Sequence, residues 1–448
     1  MSRTEFSDLS SGTIESAKTF LADTLGVAVA GSRDALVPDL LEAARGWGAG
    51  EEASVWSLGT RLPVPSAAII NAYQIHCLEF DCVHERAVVH PMPAVLAAVM
   101  AHAERRAREG RPVGGHAFLL ALALGVEVAT LIGAAATAPL GFYRSATVGA
   151  FGATGALACL ESFDPDKTLD AFGAVYGQIA GTLQPHLEGS KVLALQTGFA
   201  ARAAITACDL AAHGITAPRD VLTGRYGYFE LYENGEYELG PEWTHDIEAW
   251  QIERLSQKPF ACGRLTHGVL AGLDDLQRKH GFVAGEVSSV HVRVPSLVYR
   301  LVARPPIADP SPSYARLCIP LVAGMFLARG RIDVADFEPA ALRDPDVHRF
   351  ADRVDVGVVD NPDENAFGPQ AVEIVLADGR MFSTEVQYLP GHPEAPLSRR
   401  QRLEKFRRCW MSGRADLGAH RGERLAGCIE RVEDLGDVSE LIALVVPA

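Results

Sequence analysis

The chain has no Cys-x-x-Cys pair, and its eight cysteines are scattered over 448 residues. That spacing argues against a zinc ribbon or a disulfide framework, and free thiols in a cytoplasmic enzyme are the expectation. Basic charge is also in short supply. With 41 Lys and Arg against 56 Asp and Glu, the net charge is −15 and the pI is near 5.4. Nucleic-acid binding wants a basic face, so that class is set aside. A few inward arginines can still hold a small anion against the global field. The opening MSRTEFSDLSSGT lacks a positive head and an apolar run, and is not read as a signal peptide. There is no internal repeat and no low-complexity stretch. The one long apolar run, 117–142, carries Glu127 mid-run and turns to Ala, Thr and Gly. It is expected to be a buried core helix packed through small residues, with no membrane partner.

What is present is an ordinary globular composition, 48% apolar and 22% charged, long enough for two or three domains. From about 11 to 250 the pattern is helical: AKTFLADTLGVAVAG, VPSAAIINAYQIHCLEF, PAVLAAVMAHAERRAREG and GFAARAAITACDLAAHG carry apolar stripes at helical spacing. Near 285 the period changes. EVSSVHVRV alternates on two, as do the halves of VEIVLADGRMFSTEVQYL, which meet at Asp378-Gly379. YARLCIPLVAGMFLARG and the segment around DPDVHRFADRV read as helices between those strands, and SRRQRLEKFRRCWMSG and SELIALVV return to helix. The predicted fold is mostly α with an α+β insert. An all-helical domain is built from 1–256 and 396–448, and an α+β lid spans 257–395.

The densest chemistry lies in EFDCVHERAVVHP, which places Glu79, Asp81, Cys82, His84, Glu85, Arg86 and His90 within a dozen positions. His76, Asp81, His84 and His90 are ligand-capable, but none is spaced as in HExxH, and no metal is expected. Cys82 lies two residues from His84, a proximity in sequence that seldom gives thiol–imidazole geometry. A third reading is a cradle for a carboxylate at the start of the helix after His90-Pro91. The loop alone leaves open whether its histidines serve a ligand or only a hydrogen-bonded turn. QKPFACGRLTHG adds Lys258, Arg264 and His267 at the seam of helical part and insert, where small-molecule sites collect. In GFYRSATVGAFGATGA, Gly149, Gly152 and Gly155 recur every third position without a preceding strand, so helix packing explains them better than a phosphate loop. Tyr143-Arg144-Ser145 heads that helix and can face a pocket.

These pieces, in this order, resemble the MmgE/PrpD family, which includes 2-methylcitrate dehydratase, cis-aconitate decarboxylase and iminodisuccinate epimerase. The resemblance runs through FLADTLGVAVAGS, HCLEFDCVHERAVVHP, SATVGAFGATGA, GRYGYFELY, KPFACGRLTH and PLSRRQRLEKF. It implies a helical domain with an α+β lid, a homodimer, a cleft site between the domains, and action on small di- or tricarboxylates without metal or organic cofactor. The family pattern HALDFDDT…HP matches His76, Glu79, Phe80, Asp81 and His90-Pro91, with Val83 in place of the threonine and one residue inserted before His90. Lys258, Arg264 and His267 match the lysine, arginine and histidine at the start of the lid. Tyr143 stands where dehydratase- and decarboxylase-like members have a histidine. Leu193 aligns with a family lysine, and Lys191 lies two positions away.

The shared chemistry is removal of a proton next to a carboxylate, or loss of CO2 in its place, and the developing charge needs fixed donors. Lys258, Tyr143, His90, Asp81 and His84 are the candidate proton-transfer residues. His76, Glu79, Arg86, Arg144, Arg264, His267 and Arg316 are candidates for binding the substrate, because guanidinium groups grip carboxylates with paired hydrogen bonds. Tyr143 opposed to Lys258 would form a two-base pair, so the expected activity is a cofactor-independent epimerase. The alternatives are a hydro-lyase or decarboxylase, and beyond them a binding protein without turnover.

Overall fold

Ala, Leu and Ile recurring at three and four residues give the long helices apolar faces, and those faces are buried on one another. The computed structural model describes residues 4–243 and 249–447, and the first residues of the polar N-terminal stretch lie outside that range. The helical part contains Ser11–Gly31, Val64–His76, Met92–Arg108, Gly115–Ala135, Arg144–Leu160 and Val192–Ala212. Ser10 caps the first of these, its hydroxyl accepting from the Thr13 amide at 3.0 Å.

The helix within the long apolar run ends at Ala135, and a loop leads from it to Tyr143. It is long and apolar enough to cross a membrane, yet 78% of its most apolar window is buried inside the protein. A Cβ on Gly152 would lie 2.5 Å from the Gly125 carbonyl, so the helices Gly115–Ala135 and Arg144–Leu160 touch backbone to backbone. Gly149 makes only an ordinary contact, 3.4 Å from the Ala94 methyl position. The glycine spacing is therefore helix packing, with Gly152 at its tightest point.

The α+β part holds a four-stranded sheet in the order Val354–Val358, Val287–Val294, Gln370–Leu376, Met381–Val386. The first pair is parallel and the others antiparallel. Gln370–Leu376 buries every second residue, and the helix His267–His280 covers that face, with Gly272 set against Val372. Gly379 turns the last hairpin at φ +87°. Two details differ from the sequence reading. Val354–Val358 is a strand that the sequence does not announce, because this edge strand is half-exposed and its burial does not alternate. The helix expected over 314–330 is broken at Arg316–Cys318, since Pro320 lacks the amide hydrogen a continuous helix needs there.

The chain then returns to where it began. The helix Arg399–Arg414 starts at a Ser398 capping box and packs on Ser11–Gly31, with Phe406 against Gly26. Its buried Lys405 pairs with Asp23 at 2.8 Å and donates to the Phe80 carbonyl at 2.8 Å. The first long helix, the returning helix and the polar loop at 79–90 are thus tied together at one charged group.

Candidate active site

The helix Val64–His76 ends at His76, and the loop after it is held in an unusual shape. Glu79 and Val88 both adopt positive φ, 51° and 55°, which non-glycine residues do only when their surroundings compel it. His84 and Val89 exchange backbone hydrogen bonds at 2.8 and 3.2 Å, and Val83 and Ser256 do the same at 3.1 and 2.7 Å. The second pair fastens the loop to the start of the α+β part.

This path brings three side chains together. Asp81, fully buried, accepts from His76 Nδ1 at 3.0 and 3.1 Å through its two oxygens, and from His90 Nδ1 at 3.1 Å. His90 Nδ1 also lies 2.8 Å from the Cys82 carbonyl. Both partners of that nitrogen are acceptors, so it carries the hydrogen, and Nε2 of neutral His90 is left as a bare lone pair. His76 Nε2 meets the Tyr143 hydroxyl, and Glu79 Oε1 lies 3.5 Å away. The two imidazoles sit with ring centroids 4.7 Å apart.

Their proton affinities are driven in opposite directions. Burial works to lower both, but Asp81 and Glu79 outweigh it at His76, whose pKa is raised. At His90 burial prevails over the attraction of Asp81, the Lys258 charge adds to it, and the pKa is lowered. Asp81, despite its burial, is held well below the ordinary carboxylate range by the two histidines. Glu79 is likewise lowered, burial being outweighed by His76 and Lys258. Burial, then the Glu79 charge, pushes the Tyr143 phenol well above its ordinary value, so it stays a hydroxyl.

His76, Glu79, His90, Tyr143, Arg144 and Ser145 line one cavity, closed on its far side by Leu193, Leu301, Leu317 and Phe367. Its free volume is about 60 Å³, room for roughly two waters. Met92 and Pro93 are not among its lining residues. The cradle is accordingly made by side chains rather than by the start of the following helix.

Several residues singled out in the sequence are placed otherwise. His84 accepts from the Ala87 amide through Nδ1 at 3.1 Å and meets Gln251 Oε1 through Nε2 at 3.0 Å, and burial lowers its pKa to about 4. It is a neutral staple inside the loop. Arg86 has a side chain 60% exposed and pairs with Glu242 at 3.4 Å, away from the cavity. Arg264 lines the cavity, but every one of its donors is taken: two bonds to Glu85 and one each to the carbonyls of Gln257, Pro390 and Leu389. His267 donates Nε2–H to the Cys262 carbonyl at 3.2 Å and lies behind the wall. Lys258 is fully buried and donates to the Glu79 carbonyl at 2.8 Å. It supports Glu79 from behind rather than facing Tyr143 across the cavity, and the expected two-base pair is not assembled. Arg144 stays on the cavity wall, held bidentately by Glu233 at 2.9 and 2.7 Å, with its charge matched there and its buried Nη1 left unpaired. Cys82 is buried, which pushes its thiol well above the ordinary value, and it makes no nucleophile. Lys191 pairs with Asp34 at 2.7 Å, while Leu193 faces the cavity.

Arg316 is different. It is buried, stacks over Phe337 at 4.6 Å, and makes no side-chain hydrogen bond or ion pair among the described residues. The sequence reading missed His186, a cavity-lining residue on the single turn Gln184–Glu188. Its Nδ1 accepts from Arg304 at 2.9 Å, and burial, with the Arg304 charge, lowers its pKa to about 4. Nothing in QPHLEG distinguishes this histidine from a surface one; only the fold brings it under the α+β part.

The ligand-capable atoms of His76, Asp81 and His90 lie within 4.8 Å of one another. An ion held through both Nδ1 atoms would displace the hydrogens that now bond Asp81, whereas the Nε2 of His90 is already bare. The arrangement as it stands is a carboxylate-bridged acid and base at the inner end of a mostly apolar cavity, the signature of a proton-transferring enzyme. The family is given by comparison. A family model described as the MmgE/PrpD N-terminal domain matches residues 1–239, and one for the MmgE/PrpD C-terminal domain matches 260–428. The chain belongs to the MmgE/PrpD family. Among its relatives, cis-aconitate decarboxylase of Aspergillus terreus is 25% identical over 97% of this chain and 92% of its own length. The mouse enzyme of the same name is 26% identical over 97% and 90%, and the human one 27% over 96% and 90%. These relatives are lyases, so the comparison favours the lyase alternative over the epimerase expected from Tyr143 and Lys258.

Proposed function

We propose that the protein is a lyase acting on a small carboxylic acid, and that decarboxylation of the kind named for its relatives is its reaction. The observation that carries this reading is the Asp81-bridged pair, with His76 tuned toward the charged form and His90 toward the neutral one. When a carboxylate leaves as CO2, the bonding electrons stay on the carbon skeleton and one proton must be delivered there. His76 supplies it, with Tyr143 at its Nε2 as the group between imidazole and cavity. Apolar walls favour the step, because they solvate the spread-out charge of the transition state better than the compact charge of the carboxylate.

Epimerisation needs proton carriers on opposite faces of the reacting carbon. Here the tuned imidazoles share one carboxylate and lie side by side, which supports removal and return from one side only. Dehydration remains the second reading, favoured by the open Nε2 of His90 beside an acid. Proton NMR in D2O, with CO2 release followed in parallel, tests the choice on cis-aconitate, 2-methylcitrate, malate and iminodisuccinate. CO2 with one solvent deuteron on carbon is the expected result. A new alkene without CO2 selects the hydro-lyase, and α-deuteration with inversion restores the epimerase.

A further inference from the structure

We infer that the substrate carries at most two carboxylates together with an apolar arm, and that this site disfavours tricarboxylates. The inference rests on the proposed action on carboxylates and concerns which ones. Charge is counted first. Lys258 stands against Glu79, Lys191 against Asp34, Arg144 against Glu233, and Arg264 against Glu85. His76 in its charged form is balanced by Asp81. His90 and His186 are held toward the neutral form by burial. Two cations in this region remain without an acidic partner among the described residues. Arg316 makes no polar contact, and its buried Nε is unpaired. Arg304 bonds only His186 and the Leu301 carbonyl, and its buried Nη1 is unpaired. Buried guanidinium donors left unpaired are costly, and a ligand carboxylate is the partner of matching shape.

The walls are counted next. Leu140, Leu183, Leu193, Leu301, Leu317 and Phe367 all line the cavity. A third carboxylate pressed against them would be desolvated without a cation to receive it, which is strongly unfavourable. An alkyl arm there loses only water. Neither guanidinium lines the cavity as it stands: Arg304 reaches it through His186, and Arg316 is next in sequence to the lining Leu317. Both belong to the α+β part, which also supplies Leu301, Leu317 and Phe367, so movement of that part onto a ligand would carry the cations and this wall together.

The test uses unreactive ligands, so its outcome is independent of which bond the enzyme breaks. Isothermal titration calorimetry on the full chain compares succinates bearing a methyl, ethyl, propyl or butyl arm with propane-1,2,3-tricarboxylate, which is succinate with a carboxymethyl arm. The alkyl series should tighten by about fourfold per buried methylene until the wall is filled, and propylsuccinate should bind at least tenfold tighter than the tricarboxylate. Leu193→Lys should reverse that order, and Arg316→Met should weaken every member of the series, the check being melting temperature to show that each variant is folded. A tricarboxylate binding tighter than every alkylsuccinate would overturn the inference and leave the lyase reading standing. So would an alkyl series of flat affinity. If the alkyl preference holds while no carboxylate loses CO2 or water, the specificity stands and the lyase reading is the part that fails.

Discussion

Two segments of this chain place ionisable side chains in the interior, yet they do different work. In 76–90, His76, Asp81 and His90 point at one another and two of them open onto the cavity. In 257–267, Lys258, Arg264 and His267 spend their donors on backbone carbonyls and on Glu85. Burial is nearly complete in both. The difference lies in where the unbonded groups face: His76 and the bare ring nitrogen of His90 belong to cavity-lining residues, whereas in the second segment every guanidinium hydrogen is taken and the unbonded Nδ1 of His267 is buried away from the cavity. Residue type marks both segments, whereas access to the cavity together with free donors and acceptors separates them.

The sharpest way to break this comparison is at the shared carboxylate. Asp81→Asn removes the charge that holds His76 protonated, and kcat should fall by about 10³ with the circular dichroism spectrum unchanged. Arg264→Met attacks the supporting segment instead. It leaves Glu85 buried beside an apolar group, and should lower stability by about 3 kcal/mol in urea denaturation while changing kcat far less than Asp81→Asn does. His90→Asn should lower kcat by about 10², whereas His84→Asn, six residues earlier, should change it by less than about threefold and destabilise by about 1 kcal/mol. Equal losses in these two variants would erase the distinction between reacting and stapling histidines.

The smallest effects are those of pH, and their signs follow from the shifts. His76 must be charged, so activity declines as pH rises through a pKa above the ordinary 6.5. His90 must be neutral, because a second imidazolium would compete for Asp81, so activity also declines as pH falls through a pKa below 6.5. The kcat/KM profile should be a plateau that contains pH 6.5 and is wider than one histidine alone would give. In Asp81→Asn the alkaline limb should move to lower pH.

Much of this was legible before any coordinates. Helical spacing announced the long helices, Asp378-Gly379 the hairpin, and Pro396 onward the returning helix. The cluster of polar residues in 79–90 marked the site, since a chain seldom places so many ionisable groups between two apolar helices without use for them. What could not be read is orientation. His84 and His90 look alike in sequence, and only the exchange of backbone bonds between His84 and Val89 turns one inward and the other to the cavity. His186 was invisible because its neighbours carry no pattern, and Arg316 stood out only once its lack of partners could be seen. Tyr143 and Lys258 were correctly brought to one locality, but Lys258 lies behind Glu79, and a helix-and-loop pattern contains no information on which side of a carboxylate a lysine will settle.

The most direct test is a titration of protein labelled with ¹⁵N in its histidine rings, followed by NMR from pH 5 to 9 and assigned with the single-histidine variants. His76 should titrate above 6.5, and His90 below it as the Nδ1–H tautomer with Nε2 unprotonated at neutral pH. Coincident titration of the two near 6.5, or a His90 carrying its hydrogen on Nε2, would contradict the account.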